Sequence, residues 1–235
     1  MNTVVTGYVI GLDLGQAHDH TALAVVRRLE DRELWTAYNL EAADIAIGGT
    51  REFRAGEIKS RTTRFDVVHL GRLPIGTAYP RVVNHTHMVV TRIATLARWA
   101  PDLVVDYTGV GRPVVDMLRA EHLKPIPLLI TGGDKATLEL GSWRVPKRDL
   151  VGSLQVLLQT QRLKIAKALV HASTLVDELL NFRVKIDPLT AHDSYGAWRE
   201  GEHDDLVLAL ACAVWYGAKR DVKPWTLGEY PLVRR

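Results

Sequence analysis

The chain has a single cysteine, Cys212, among 235 residues, so a disulfide framework and a cysteine zinc site are both excluded. Cys212 lies inside an apolar helical pattern and reads as a small buried hydrophobe. No apolar stretch approaches the roughly 20 residues that a membrane-spanning helix needs, and no signal peptide precedes the first apolar run. The expected location is therefore the cytoplasm, with no membrane partner. No Gly-x-x-x-x-Gly-Lys-Ser/Thr occurs, which excludes a P-loop motor within this chain. Repeats of solenoid length and low-complexity tracts are also missing. Charge of one sign is scarce too: 30 basic against 27 acidic residues leave a net charge of +3, which permits a polyanionic partner without demanding one.

What is present is 47% hydrophobic content, ample for one core, and we expect one domain over residues 1–235. Apolar or β-branched runs predict strands over Tyr8–Asp13, Thr21–Leu29, Leu34–Leu40, Val67–Leu73, Leu103–Asp106 and Ile126–Ile130. The first two flank a short polar connection and form a hairpin. Helical spacing predicts helices over Val82–Trp99, Arg112–Glu121, Ala172–Phe182 and Asp204–Lys219, and another opened by Pro146 and running to Gln161. The polar, arginine-bearing stretch Gly48–Thr63 reads as an exposed loop. Strands alternating with helices indicate an α/β fold.

Three stretches place carboxylates at element ends: Gly11-Leu12-Asp13-Leu14-Gly15, Asp106-Tyr107-Thr108-Gly109-Val110-Gly111 and Glu202-His203-Asp204-Asp205. Asp13 and Asp106 close apolar runs, and Asp204-Asp205 opens one. Each has a bland reading: a turn for Asp13, a strand-to-helix loop for Asp106, and a favourable helix-dipole charge for the pair. One capping aspartate would satisfy a dipole, whereas two behind Glu202 accumulate charge that a cation relieves. Strand ends share one edge of an α/β sheet, so these carboxylates can converge into an oxygen site for hard divalent cations. Such a site can hold two ions about 3.5–4 Å apart, an arrangement suited to phosphodiester hydrolysis. Gly11 and Gly15 would let a ligand approach the backbone beside Asp13. Positive charge gathers in Arg51–Arg64, Arg144-Val145-Pro146-Lys147-Arg148 and Arg234-Arg235.

Taken in order, Gly11–Ala17 with Asp19–Val25, Leu73–Pro80, Asp106–Gly111, Val145–Leu150 and Glu202–Ala211 resemble the nuclease domain of phage terminase large subunits. That resemblance spans most of the chain. It implies a ribonuclease H-like fold with a central mixed sheet, an antiparallel N-terminal hairpin and helices on both faces. It also implies a metal-dependent endonuclease acting on double-stranded DNA, with Asp13, Asp106, Asp204 and Asp205 holding two Mg²⁺ or Mn²⁺ ions. Asp205 is favoured as the principal ligand of the pair. Lys147 and Arg148, at a helix N-terminus, and the neighbouring Arg144 would contact DNA phosphates. Terminases couple such a domain to an ATPase, a small terminase and a portal, and these are the further partners implied. Weak activity with a preference for Mn²⁺ is expected of an isolated domain, and the Gly48–Thr63 loop is a candidate regulator. A Holliday-junction resolvase-like nuclease and an ATP-binding domain of the actin or sugar-kinase type are the alternatives, the latter because Ile10–Gly15 also resembles its phosphate-binding hairpin.

Overall fold

A computed structural model describes residues 2–15, 19–34, 58–109, 112–186, 193–197 and 203–219. Its centre is an eight-stranded mixed sheet. Three long antiparallel strands, β1 (Asn2–Asp13), β2 (Thr21–Leu34) and β3 (Ile58–Leu73), form one half. On the other side of β1, β4 (Asp102–Asp106), β5 (Pro125–Thr131) and β7 (Ser142–Pro146) run parallel to it, and the short β6 (Thr137–Glu139) closes that edge as an antiparallel hairpin with β7. The opposite edge is β8 (Leu163–Ile165), so the spatial order is β6-β7-β5-β4-β1-β2-β3-β8.

Helices cover both faces. The period-2 geometry of a strand then sends neighbouring apolar residues into different cores, which is why β1 and β4 read as continuous apolar runs. Ile10, Leu12, Leu103 and Val105 meet α1 (Tyr79–Ala97) and α2 (Arg112–Ala120) through Val82, Val83, Ile93, Val114, Val115 and Leu118. Val9, Val104, Phe65 and Leu128 meet α3 (Lys147–Gln159), α4 (Ala172–Asn181) and α5 (Asp205–Lys219) on the other face. Helix α5 is buried along nearly its whole length, with Leu206, Leu210, Ala213 and Val214 all fully enclosed. Cys212 sits in that core as expected.

Several boundaries differ from the sequence reading for identifiable reasons. Residues 58–63 are not part of a loop: they extend β3, pairing through Thr62 and Thr63 with Asp31 and Glu30 of β2. Polar side chains suit this end of the sheet because Glu30 meets Arg32 and Arg61 there, and Asp31 meets Arg64. The rest of the Gly48–Thr63 segment, like Leu34–Leu40 beyond Leu34 itself, lies outside the described residues. Helix α1 begins three residues before Val82 because Pro80 occupies its first turn, and Arg98, in a left-handed conformation at φ 64°, ends it. Pro146 both ends β7 and stands at the N-cap of α3, which stops at Gln159, two residues short of Gln161. The strands β6 and β8, at three residues each, are too short to show a period. A separate two-stranded hairpin, β9 (Phe182–Ile186) with β10 (Asp193–Ala197), was likewise not foreseen.

Candidate metal centre

Register alone brings the first two carboxylates together. Asp13 and Asp106 are the last residues of adjacent parallel strands and pair directly, while Asp13 also faces Ala22 on β2 and Ala22 faces Arg72 on β3. A single row therefore runs Arg72, Ala22, Asp13, Asp106 across four strands. Two-residue alternation puts Asp13 on the same face as Val9, and Asp106 on the same face as Val104, which is the face covered by α5. The small side chain of Ala22 leaves the row open between the arginine and the aspartates.

Above this row begins α5. Its first residue, Asp205, is buried, and its Oδ2 accepts a hydrogen bond from Arg72 Nη2 at 3.0 Å. Gly11, two residues before Asp13, explains how closely the helix can approach. A Cβ there would stand 1.9 Å from the carbonyl oxygen of Ala209 and 3.0 Å from the amide nitrogen of Ala213. The glycine thus makes room for the backbone of α5 and not, as the sequence had suggested, for a ligand. Gly15 similarly serves its own hairpin, since a Cβ would lie 2.4 Å from the carbonyl of His20, while its N–H donates to Thr21 Oγ1 at 3.1 Å.

Asp106 is fixed by a local turn in which its Oδ1 accepts from both the amide and the hydroxyl of Thr108, and Thr108 Oγ1 accepts the Ile130 N–H at 2.8 Å. Asp204 lies beside Lys147, whose Nζ is 3.4 Å from its Oδ2 and 5.8 Å from the centre of the Phe182 ring. On the hairpin side, one ligand atom each from Asp19, His203 and Asp205 lie within 4.8 Å of one another, a group able to hold a metal ion. His203 packs edge-on against His20 with ring centres 4.9 Å apart, and His20 Nδ1 donates to the Leu73 carbonyl at 2.8 Å.

The electrostatics match a site for cations. Burial, followed by repulsion from Asp106, Asp205 and Asp204, pushes the Asp13 carboxyl well above the ordinary carboxylate range, with Lys147 opposing. Burial also raises Asp106 against the hydrogen bonds from Thr108, and raises Asp205 against the bond and charge of Arg72. Glu178 of α4, buried nearby, is raised by burial to about 7. Crowded carboxylates that resist ionising are what a hard dication relieves, and oxygen donors are what Mg²⁺ or Mn²⁺ prefers. The residues present fit such an ion.

Carboxyl groups raised in the folded state make stability fall with pH. Between the unfolded value and the folded one the native protein holds more protons, so the contribution is complete at low pH and lost on ionisation. For Glu178 that window runs from 4.5 to about 7. In EDTA, the melting temperature should therefore decline across this range, and Mn²⁺ should reduce the decline by neutralising the aspartates. Thermal melts at a series of pH values with and without the metal test this; a melting temperature that rises through the window would contradict it.

This arrangement can be set beside known structures. The chain is similar to the large terminase nuclease from thermophilic phage G20c, with 19% identity, 90% of this chain and 86% of that one covered, and a TM-score of 0.52. The fold is that of a terminase nuclease domain. A human cytomegalovirus terminase nuclease domain, Mn soaked, is 11% identical over 90% of this chain and 83% of that chain at a TM-score of 0.49. The large terminase of bacteriophage HK97 is 14% identical over 91% of this chain and 40% of that chain at 0.46. No family model matches the sequence, and no curated protein is significantly similar to it.

Within this terminase-nuclease fold the basic residues divide. Lys147 stands among the carboxylates, but Arg148 turns to Asp134, meeting its carbonyl at 2.7 Å and its carboxylate at 3.1 Å. Arg144 on β7 lies 3.9 Å from Glu139 on β6 and is half exposed. Both arginines thus sit beside the site and not in it. Sequence reading missed Arg72, Glu178 and Asp19. Arg72 could have been found as a charge in phase with the core residue Leu70. Glu178 could have been found as a charge three residues after Leu175 on an otherwise apolar helix face. Among the described residues no helix is long and apolar enough to cross a membrane.

Proposed function

We propose that this chain is a divalent-metal-dependent endonuclease that hydrolyses phosphodiester bonds in double-stranded DNA. Asp13, Asp106, Asp204 and Asp205 are its ligands for two Mg²⁺ or Mn²⁺ ions. The observation that carries the reading is the register pairing of Asp13 with Asp106 at the sheet edge, beneath the helix that begins at Asp205. Cations bound there would supply Lewis-acid polarisation of the phosphate and lower the pKa of the attacking water.

The chain's own residues do the rest. Thr108 holds Asp106 in one rotamer, so the carboxylate needs no reorganisation. Lys147 offsets part of the negative charge and, at the N-terminus of α3, stands where a phosphate would be attracted by both its ammonium and the helix dipole. His203, near Asp205, adds an imidazole to an otherwise oxygen donor set, which favours Mn²⁺ over Mg²⁺. Arg144 and Arg148 extend the positive surface along which a duplex would lie. In a packaging machine the partners would be an ATPase module, a small terminase and a portal.

Phosphate contacts contribute through counterion release and carry no base information. Lys147→Ala and Arg148→Ala, each introduced with Asp13→Asn so that DNA is not cut, should weaken binding to every duplex sequence alike and lower the log–log salt slope by about one each. A salt titration of affinity checks this. An unchanged slope would make both ordinary surface charges.

A further inference from the structure

The first turn of α5 presents an unusual division of labour. A helix that opens with Asp204-Asp205 could use either side chain to accept its own first N–H groups. Instead the cap comes from another helix: Glu178 Oε2 on α4 accepts the Leu206 N–H at 3.0 Å and the Val207 N–H at 3.2 Å. Asp204 contributes only its backbone carbonyl, which accepts the Leu208 N–H at 2.9 Å, while its carboxylate turns to Lys147. Arg72 then joins the two buried acids, 3.0 Å from Asp205 Oδ2 and 3.6 Å from Glu178 Oε1.

We propose that Glu178 is a positioning residue of the metal centre, one that caps α5 from outside and so releases Asp204 and Asp205 from capping to act as ligands. The proposal rests on the metal-site reading above. Three constraints converge on Asp205: its own N–H neighbours are tied to Glu178, its carboxylate is tied to Arg72, and Arg72 is tied back to Glu178. Remove the Glu178 carboxylate and the two amides lose their partner. Asp204 or Asp205 is then the nearest acceptor able to replace it, and a ligand that turns to cap the helix no longer faces the ion. Partners behind a ligand commonly set metal affinity by 10–100-fold, about the effect expected here.

The test compares Glu178→Leu, which keeps bulk and loses both acceptors, with Glu178→Gln, which keeps an acceptor oxygen. Mn²⁺ binding is read directly by electron paramagnetic resonance on the full chain, beside the Mn²⁺ dependence of plasmid nicking and the melting temperature. Glu178→Leu should shift both Mn²⁺ midpoints upward by about 10–100-fold, with much of the rate recovered at saturating Mn²⁺, and Glu178→Gln should recover to within a few-fold of the parent. A purely structural role would lower the melting temperature and leave the Mn²⁺ midpoint unmoved. That result, in Glu178→Leu or, where this variant does not fold, in Glu178→Ala, which loses the same two acceptors, overturns the proposal. A parent that binds no Mn²⁺ would instead overturn the metal-site reading on which it depends.

Discussion

Asp13→Asn should abolish Mn²⁺-dependent DNA cleavage and at the same time raise the melting temperature of the metal-free protein. The two effects have one cause. Asp13 lies between Asp106 and Ala22 in the cross-strand row, with Asp106, Asp205 and Asp204 all near enough to act on its charge, so it is the most central of the carboxylates that would hold the cations. Losing one charged ligand forfeits several kcal/mol of transition-state stabilisation; about 4 kcal/mol corresponds to about a thousandfold in rate. Burial and three neighbouring aspartates push this carboxylate well above the ordinary range, so the neutral amide removes a repulsion that the folded state otherwise bears. Plasmid nicking and thermal melts in EDTA read both outcomes. A variant that cuts like the parent with metal non-limiting, or that melts lower with its activity intact, would show that Asp13 is not at the centre. Asp106→Asn should behave alike in rate, with a smaller gain in stability because Thr108 already favours its ionised form.

Gly11→Ala should be as damaging as a large core deletion although it adds a single methyl group. The added carbon would meet only backbone, 1.9 Å from the oxygen and 2.9 Å from the carbon of the Ala209 carbonyl. No side chain can rotate away to accommodate it. Helix α5 must move off the sheet, at a cost of about 3 kcal/mol or more. Because Asp205 rides on that helix while Asp13 stays on the strand, the separation of the two ligands changes as well, so whatever fraction of the variant folds should bind Mn²⁺ poorly. Gly76, which has a positive φ of 76° and nothing near its Cβ position, offers the control: its substitution strains a turn without crowding. Denaturant unfolding of Gly11→Ala compared with the parent checks the magnitude, and a loss below that of the Gly76 control would mean the helix can yield.

The elements most visible in the sequence are those whose cores are local. The apolar runs ending at Asp13 and Asp106, the helical spacing from Leu206 onward and the Thr108-Gly109 turn all reported their structure directly, and with them the convergence of Asp13, Asp106 and Asp205. Residues recruited across the chain were harder to see. Arg72 reaches Asp205 over 133 positions, and Glu178 caps a helix that begins more than twenty residues later; nothing in the neighbourhood of either announces the partner. The polar beginning of β3 misled for a related reason. Its arginines Arg61 and Arg64 meet the acids of β2 across the sheet and Thr63 accepts from Arg28, so the segment carries no apolar alternation of its own. Lys147 and Arg148 looked equivalent in sequence, yet their positions on α3 turn one toward Asp204 and the other toward Asp134.

The central claim is that the aspartates hold cations that cut DNA. A digest of supercoiled plasmid with the parent chain and with Asp13→Asn, each in Mn²⁺, in Mg²⁺ and in EDTA, tests it most directly. Nicked and linear products should form with the parent in Mn²⁺, more slowly in Mg²⁺, and not at all in EDTA or with Asp13→Asn. Equal nicking by the parent in EDTA and in Mn²⁺ would contradict it.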